Sequence, residues 1–246
     1  MSDEAIPAAT LILVREREAK PPEFLMVERA HKMAFAAGAW VFPGGRIDPA
    51  DLELGAASGT EAAVVAAIRE TVEEAAIPVG LSPAPDQAQA RELQDALVAD
   101  RPFEGILRQN SISLDPAALT PFARWVPKFH AVRRFDTLFF LARCTSEECE
   151  PRVIEGECTR AAWFGAAELL EQDRRGEARL IFPTRRNLER LAQHSTFDEI
   201  RADALAHPVE PITPWVEQHE GEQFITIPAH LGYPVTREKL EGLWRG

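Results

Sequence analysis

The chain has 246 residues, with 27 Lys and Arg against 39 Asp and Glu, for a formal net charge of −12. Hydrophobic residues make up 46%, enough for a substantial core, while the acidic balance argues against non-specific nucleic-acid binding, which needs clustered cations. No apolar run is long enough to span a bilayer, and the N-terminus MSDEAIPAATLILVRERE, acids first and then a short apolar stretch, is not read as a secretory signal.

In chain order, Ala8 to Val14 and Glu23 to Glu28 are short apolar runs separated by REREAKPP, read as two strands joined by a loop. Trp40-Val41-Phe42 is a further short run, stopped by Pro43-Gly44-Gly45. Thr60 to Ala76 is Ala-rich and free of Gly and Pro, a helix by propensity, with Val65, Ile68 and Val72 on one buried face. Ser58-Gly59-Thr60-Glu61 has the spacing of a capping box at its start, and Pro78 and Gly80 end it. Asp86 to Asp100 predicts a second, polar amphipathic helix, followed by irregular chain around Pro102, Pro116, Pro121 and Pro127.

Thr137 to Ala142 predicts a buried strand, Ala161 to Phe164 another, and Ala166 to Gln172 and Asn187 to Gln193 helices. Phe224 to Ile227 reads as a strand in a proline-rich tail. With no repeat and no linker, the expectation is one domain over 1–246, with a helical insertion at about 82–128 and an extension at about 195–246. Cys144, Cys149 and Cys158 form no CxxC pair and fit no common zinc spacing, so they are expected to be reduced thiols in a cytoplasmic protein.

The chemistry-bearing segment is AAIRETVEEAAI. Glu70, Glu73 and Glu74 stand at i, i+3 and i+4, so a helix gathers three carboxylates on one side. Their repulsion costs stability unless a cation intervenes, and hard oxygen ligands suit Mg²⁺ or Mn²⁺. The plainer reading is a solvated acidic face in which Arg69 and Glu73 form an i, i+4 pair.

In context the segment resembles the Nudix box: Gly, five residues, Glu, seven residues, then Arg-Glu-U-x-Glu-Glu-x-Gly-U, with U aliphatic. Residues 69–77 fit the second half, with Thr71 at an aliphatic position and Ala76 at the usual Gly. Glu61 lies at the right distance upstream, and Phe42-Pro43-Gly44-Gly45 supplies the preceding signature. From Gly45 to Glu61 is 61 − 45 = 16 positions where the pattern has six, so ten residues are inserted; Gly55 satisfies the literal spacing but lacks the strand and Pro before it. An insertion here is similar to the branch that includes peroxisomal coenzyme A diphosphatases, as are PFARWVP, RRFDTLFFLA and EGECTRAAWF, and the resemblance runs from about Ala8 to Glu171.

The resemblance implies an α/β fold, a Nudix-type α/β/α sandwich around a mixed β-sheet, with extra helices after the glutamate-bearing helix. It implies a pyrophosphohydrolase using Mg²⁺ or Mn²⁺, with Glu70, Glu73 and Glu74 as metal ligands and the Gly45 carbonyl as a further one. Glu70, Glu73, Arg69 and Glu157 are the expected catalytic group, Arg69 orienting the glutamates, Glu70 or Glu157 acting as base, and Glu155 standing as the alternative to Glu157. Glu61 is expected to cap the helix or to pair with Arg69.

Arg29, Gly38 and Gly44 are the expected substrate contacts. Leu25 to Ala30 matches the family's coenzyme A signature loosely, and Gly38 keeps the spacing, but Ala34 replaces its second Arg, with Lys32 close by. Arg133 and Arg134 are further phosphate candidates, and Trp125 and Phe129 either stack on an adenine or belong to the core. The expected partner is a small diphosphate compound, coenzyme A or an acyl derivative first, with no nucleic acid and no membrane, and with a homodimer left open. The alternatives are an NADH or ADP-ribose pyrophosphatase, or a Nudix-fold ligand-binding module without turnover.

Overall fold

The computed structural model describes residues 5–33, 36–127, 134–144 and 149–240. Among the sequence candidates, Ala34, Phe129 and Arg133 lie outside the described residues. The chain opens with β1 (Ile6–Arg15) and β2 (Glu23–Arg29), then the short β3 (Trp40–Val41) and β4 (Gly44–Arg46). Helices α1 (Pro49–Ser58) and α2 (Ala62–Ala75) follow, then β5 (Leu81–Ser82), α3 (Gln87–Val98), α4 (Phe103–Gln109) and β6 (Ser113–Leu114). The chain returns to the sheet as β7 (Thr120–Trp125), β8 (Phe135–Arg143) and β9 (Cys158–Gly165). It ends in α5 (Ala166–Arg174), α6 (Phe182–Leu191), α7 (Phe197–Ala206), β10 (Pro211–Ile212), β11 (Trp215–His219), β12 (Glu222–Thr226) and β13 (Arg237–Lys239).

The main sheet is mixed, in the order β10-β7-β8-β1-β2-β3, with β4 paired to β1 and β9 to β2. β1 runs parallel to β8 and antiparallel to β2 and β4, so it lies between helical layers on both faces. That explains its near-continuous apolar sequence: residues facing either way are buried. Ala9, Leu11 and Leu13 pack with Val65, Ile68 and Val72 of α2. Ile12 and Val14 on the opposite face pack with Leu169 of α5, Leu188 of α6 and Ile200 of α7. This is the expected α/β sandwich. No helix among the described residues is long and apolar enough to cross a membrane.

The region between Gly45 and Glu61 differs from the expectation. Residues 49–58 form a separate helix, α1, begun by Asp48 and Pro49 with a reciprocal Asp48/Asp51 capping box and ended by Gly59 at φ 72°. The supposed capping box at Ser58 to Glu61 is therefore the end of one helix and the start of the next. The Ser58 hydroxyl donates to the Leu54 carbonyl, and Glu61 is the N-cap residue of α2 without a side-chain cap hydrogen bond. Helix α1 has no clear apolar stripe and carries Gly55 in its interior, so periodicity gave no signal for it.

The proline-marked stretch after residue 100 is more regular than expected. Pro102 sits at the N-cap of α4, and Pro116 opens a short 3₁₀ turn, positions where a missing N–H costs nothing. Pro121 lies beside a register shift in β7, where a strand tolerates it. Helix α6 begins at Phe182, five residues before the expected start, and α7 together with the three-stranded sheet β11-β12-β13 was only partly signalled, by Phe224 to Ile227.

Ile68 is fully buried under β1, and its side chain reaches the Gly80 turn, where an added Cβ would lie 2.7 Å from Ile68 Cδ1. Truncating it leaves a cavity between two layers that cannot both move inward. Ile68→Ala should therefore destabilise the chain by about 3 kcal/mol, read from urea or thermal unfolding; a loss below about 1 kcal/mol would contradict this packing.

Candidate active site

The site forms where α2 passes the Gly-Gly strand. Strand β4 pairs Gly45 with Ala9 and Gly44 with Thr10 of β1, and its missing side chains admit the glutamates of α2. A Cβ on Gly45 would stand 2.3 Å from Glu70 Oε1, and one on Gly44 would stand 2.5 Å from the Ala9 carbonyl oxygen. Only glycine allows this approach. The Gly44 N–H donates to Glu74 Oε2 at 2.9 Å, while the Cys158 thiol donates to Glu74 Oε1 at 3.3 Å.

Arg69 organises the remaining acids. Its Nε and Nη2 donate to the two oxygens of Asp51, each at 2.9 Å, in a fork geometry suited to guanidinium and carboxylate. Its Nη1 lies 3.0 Å from Glu70 Oε1 and 3.2 Å from Glu73 Oε2, and Nη2 also donates to the Arg46 carbonyl at 3.1 Å. Asp51 is almost wholly buried at 1% exposure.

Sequence reasoning missed Asp51, although a signal was present. It lies 51 − 45 = 6 positions after Gly45, the spacing that the box pattern assigns to its first acid. Aspartate in place of glutamate, and the competing fit of Glu61, concealed it. Glu61 is exposed and takes no part in the Arg69 group as described.

The electrostatics follow from burial. Burial pushes the Glu70 carboxyl up to about 8, with the charges of Glu74 and Glu73 adding to the rise and Arg69 opposing it. Glu74 is pushed up to about 7 by burial, against the pull of its hydrogen bonds from Gly44 and Cys158. Glu73 is raised by burial and further by Glu157, and the Cys158 thiol is raised by burial and by Glu74. For Arg69, burial lowers the value, but the Asp51 hydrogen bond and the charges of Glu70, Asp51 and Glu73 together outweigh it.

Buried acids that raise one another are the donor chemistry a hard divalent cation relieves, so Glu70, Glu73 and Glu74 fit such an ion in kind. Among the described residues no three His, Cys, Asp or Glu side chains stand ready-gathered around one point. Glu74 is turned to Gly44 and Cys158, and Glu70 to Arg69.

A cavity of about 910 Å³ opens beside this group. Glu70, Glu73, Glu157, Gly44, Gly45 and Arg29 all contribute to its wall. Glu155 is exposed and outside that wall. Gly38 is a turn former: its φ is +67°, its N–H donates to the Arg29 carbonyl, and a Cβ there would meet the His31 ring at 2.6 Å. Lys32 is exposed, and Arg134 precedes β8, its carbonyl accepting from the Ile6 N–H; neither is part of the cavity wall. Trp125 is buried at 1% exposure with its indole N–H directed to Asn187 and Tyr233, so it belongs to the core that floors the cavity.

The raised carboxyls have a consequence for pH. A carboxyl whose folded value lies above its ordinary 4.5 favours the fold while protonated, and that contribution is lost as pH rises through about 7 to 8. In chelator, the melting temperature should fall by several degrees between pH 5 and 8.5 and recover at pH 8.5 on adding Mg²⁺, with Glu70→Gln flattening the profile. A pH-independent melt in chelator would show that these carboxyls do not carry the cost assigned to them.

The NUDIX domain family model matches residues 5–184. No curated protein matches the chain. Among solved structures, a NUDIX hydrolase from Alicyclobacillus acidocaldarius is 29% identical with a TM-score of 0.67, the match covering 81% of this chain and 96% of that one. The NUDIX domain of Shewanella oneidensis NrtR, complexed with ADP ribose, is more distant at 13% identity and a TM-score of 0.47, covering 78% of this chain and 88% of that one. The matched span contains every strand from β1 to β9, the Gly-Gly loop and the glutamate helix, and on that basis the chain belongs to the NUDIX family and has the fold of its hydrolases.

Proposed function

We propose that the protein hydrolyses the diphosphate linkage of a nucleoside diphosphate joined to a second moiety, with coenzyme A or an acyl derivative as the leading substrate. The observation that carries this is the convergence of Glu70, Glu73 and Glu157 with the bare backbone of Gly44 and Gly45 on one cavity. Glu70, Glu73 and Glu74, with the Gly45 carbonyl, are the residues that would hold Mg²⁺ or Mn²⁺. When bound, such an ion supplies positive charge against the diphosphate oxygens and makes water a better nucleophile at neutral pH.

The chain's own residues do the rest. Arg69 is a positioning residue: its bidentate bond to Asp51 fixes the guanidinium, which in turn aims Glu70 and Glu73. Glu157 faces Glu73 closely enough to raise it, and we assign it the proton from the attacking water. Arg29, at the end of β2, lines the cavity and is suited to a phosphate oxygen, while Gly44 leaves room for it. The coenzyme A reading draws on the spacing of Arg29, Gly38 and the Gly-Gly loop.

The test is a panel of coenzyme A, NADH and ADP-ribose incubated with Mg²⁺, with products identified by mass. Two phosphorylated products from coenzyme A, lost in chelator and restored by Mg²⁺ or Mn²⁺, are expected. Glu70→Gln should lower kcat by about 100-fold or more while the protein still unfolds cooperatively. Chelator-resistant turnover, or tight binding of all three compounds without products, would overturn the reading.

A further inference from the structure

We propose that Gln94 and Arg152 are positioning residues that clamp the segment carrying Glu157 against the end of α2, keeping its carboxylate at the cavity wall beside Glu73. This rests on the diphosphatase reading and gives the inserted helix α3 a part in the reaction.

Glu157 does not aim itself. It is exposed, in a stretch without regular structure before β9, and no hydrogen bond or ion pair among the described residues holds its carboxylate. Gly156 beside it stands in open space, where an added Cβ would meet only the Ile154 carbonyl oxygen at 3.8 Å. The place of the carboxylate therefore depends on where the backbone is pinned. On one side the Ala30 N–H donates to the Glu157 carbonyl at 2.8 Å, next to the start of β9. On the other side the next backbone tie is at Arg152.

Arg152 is fixed through both of its backbone groups. Its N–H donates at 2.9 Å to the carbonyl of Ala75, the last residue of α2, and its own carbonyl accepts from Gln94 Nε2 at 2.8 Å. The same Nε2 donates to the Glu73 carbonyl at 2.9 Å, so one amide bridges the glutamate helix and the Glu157 segment. The Arg152 side chain lies back along α3, with Nη2 2.7 Å from Asp95 Oδ1 and Nη1 donating to the Arg91 carbonyl at 3.4 Å. Carbonyls in the last turn of a helix have no partner within it, and here one side chain serves such a carbonyl and the loop together.

Gln94 does this at a cost to stability. It is fully buried on a face of α3 otherwise made of Ala90, Leu93 and Leu97, and its Oε1 has no hydrogen-bond partner among the described residues. Turning the amide over gives no relief, because its oxygen would then face two carbonyl oxygens. A Met or Leu would fill the same space and orphan no polar atom. Packing alone gives no reason for glutamine at this position; joining the two carbonyls does.

The test measures kcat and KM with Mg²⁺ on coenzyme A, NADH and ADP-ribose, using the full chain well below its melting temperature. The variants are Gln94→Met, Glu157→Gln and the two combined. On a compound the wild type hydrolyses, Gln94→Met should lower kcat about tenfold with KM within about twofold, because substrate contacts stay while Glu157 drifts. Added to Glu157→Gln, it should lower kcat by less than about twofold more, since the group it positions is already gone. Arg152→Ala should act in the same direction, and Arg152→Lys should recover most of the loss by restoring the charge opposite Asp95. Should Gln94→Met fail to fold, Arg152→Ala, at a side chain 34% exposed, takes its place in the cycle.

Hydrogen exchange supplies a readout that needs no turnover. Gln94→Met should speed exchange of the Arg152 amide about tenfold, while β1 keeps its wild-type protection. Unchanged exchange at Arg152, or losses that multiply in the double variant, would overturn the clamp. Wild-type kcat in Glu157→Gln would also overturn it and leave the diphosphatase reading standing. A wild type that turns over none of the three compounds would sink that reading instead, and the exchange measurement would still decide whether Gln94 pins the loop.

Discussion

A single guanidinium sits at the centre of the buried acids on this face of the molecule. Arg69 is the cation among Asp51, Glu70 and Glu73, all drawn within hydrogen-bonding range of its three nitrogens. Burying that many carboxylates without a partner would cost more than the local packing returns, and the acids would take up protons instead. Part of that tendency remains, since Glu70 stays well above the ordinary carboxylate range even beside Arg69. One cation for three acids leaves negative charge to be balanced, which is the electrostatic opening for a divalent ion.

The same bond decides where α1 lies. That helix has almost no amphipathic character of its own, yet Asp51 on its first turn is buried and tied through both oxygens to α2. A weakly patterned segment is thus held by a directional polar contact together with the single buried Leu54, while α2 is placed by a full apolar face on β1. The Gly-Gly strand completes the arrangement. Because β4 has no Cβ at two successive positions before Arg46, the acidic face of α2 meets strand backbone directly, and a Gly44 N–H becomes a ligand for Glu74.

The cavity that results runs from the glutamates on the α2 side of β4 to the Ala8 and Thr10 face of β1, the face opposite α2. Near β4 it carries carboxylates, exposed backbone and Arg29; toward β7 and α6 it mixes Trp125, Phe139 and Phe182 with Asp173, Thr184 and Arg185. The division follows the strand order, since β4, β1, β8 and β7 lie side by side although they are far apart in sequence. The C-terminal segment adds Ile225 and Leu240 to the wall and is tied to α6 by the ion pairs of Glu238.

Much of this was legible in the residues alone. The i, i+3, i+4 spacing of Glu70, Glu73 and Glu74, the Gly-Gly pair and the apolar runs of β1, β2 and β8 are local patterns, and local patterns fix periodicity, strand faces and the family. Glu157 was named from the family resemblance, and the fold puts it on the cavity wall. Asp51, the wall formed by Ile225 and Leu240, and the burial of Trp125 were decided only by tertiary structure. Each depends on a contact between separate elements 18 to 108 residues apart, Asp51 with Arg69, Glu238 with Arg185, Trp125 with Tyr233, and no short-range spacing encodes which distant side chain arrives. Sequence by itself determined the family and the spacing of the acids along one helix, because these are short-range patterns; the fold determined which distant groups meet them.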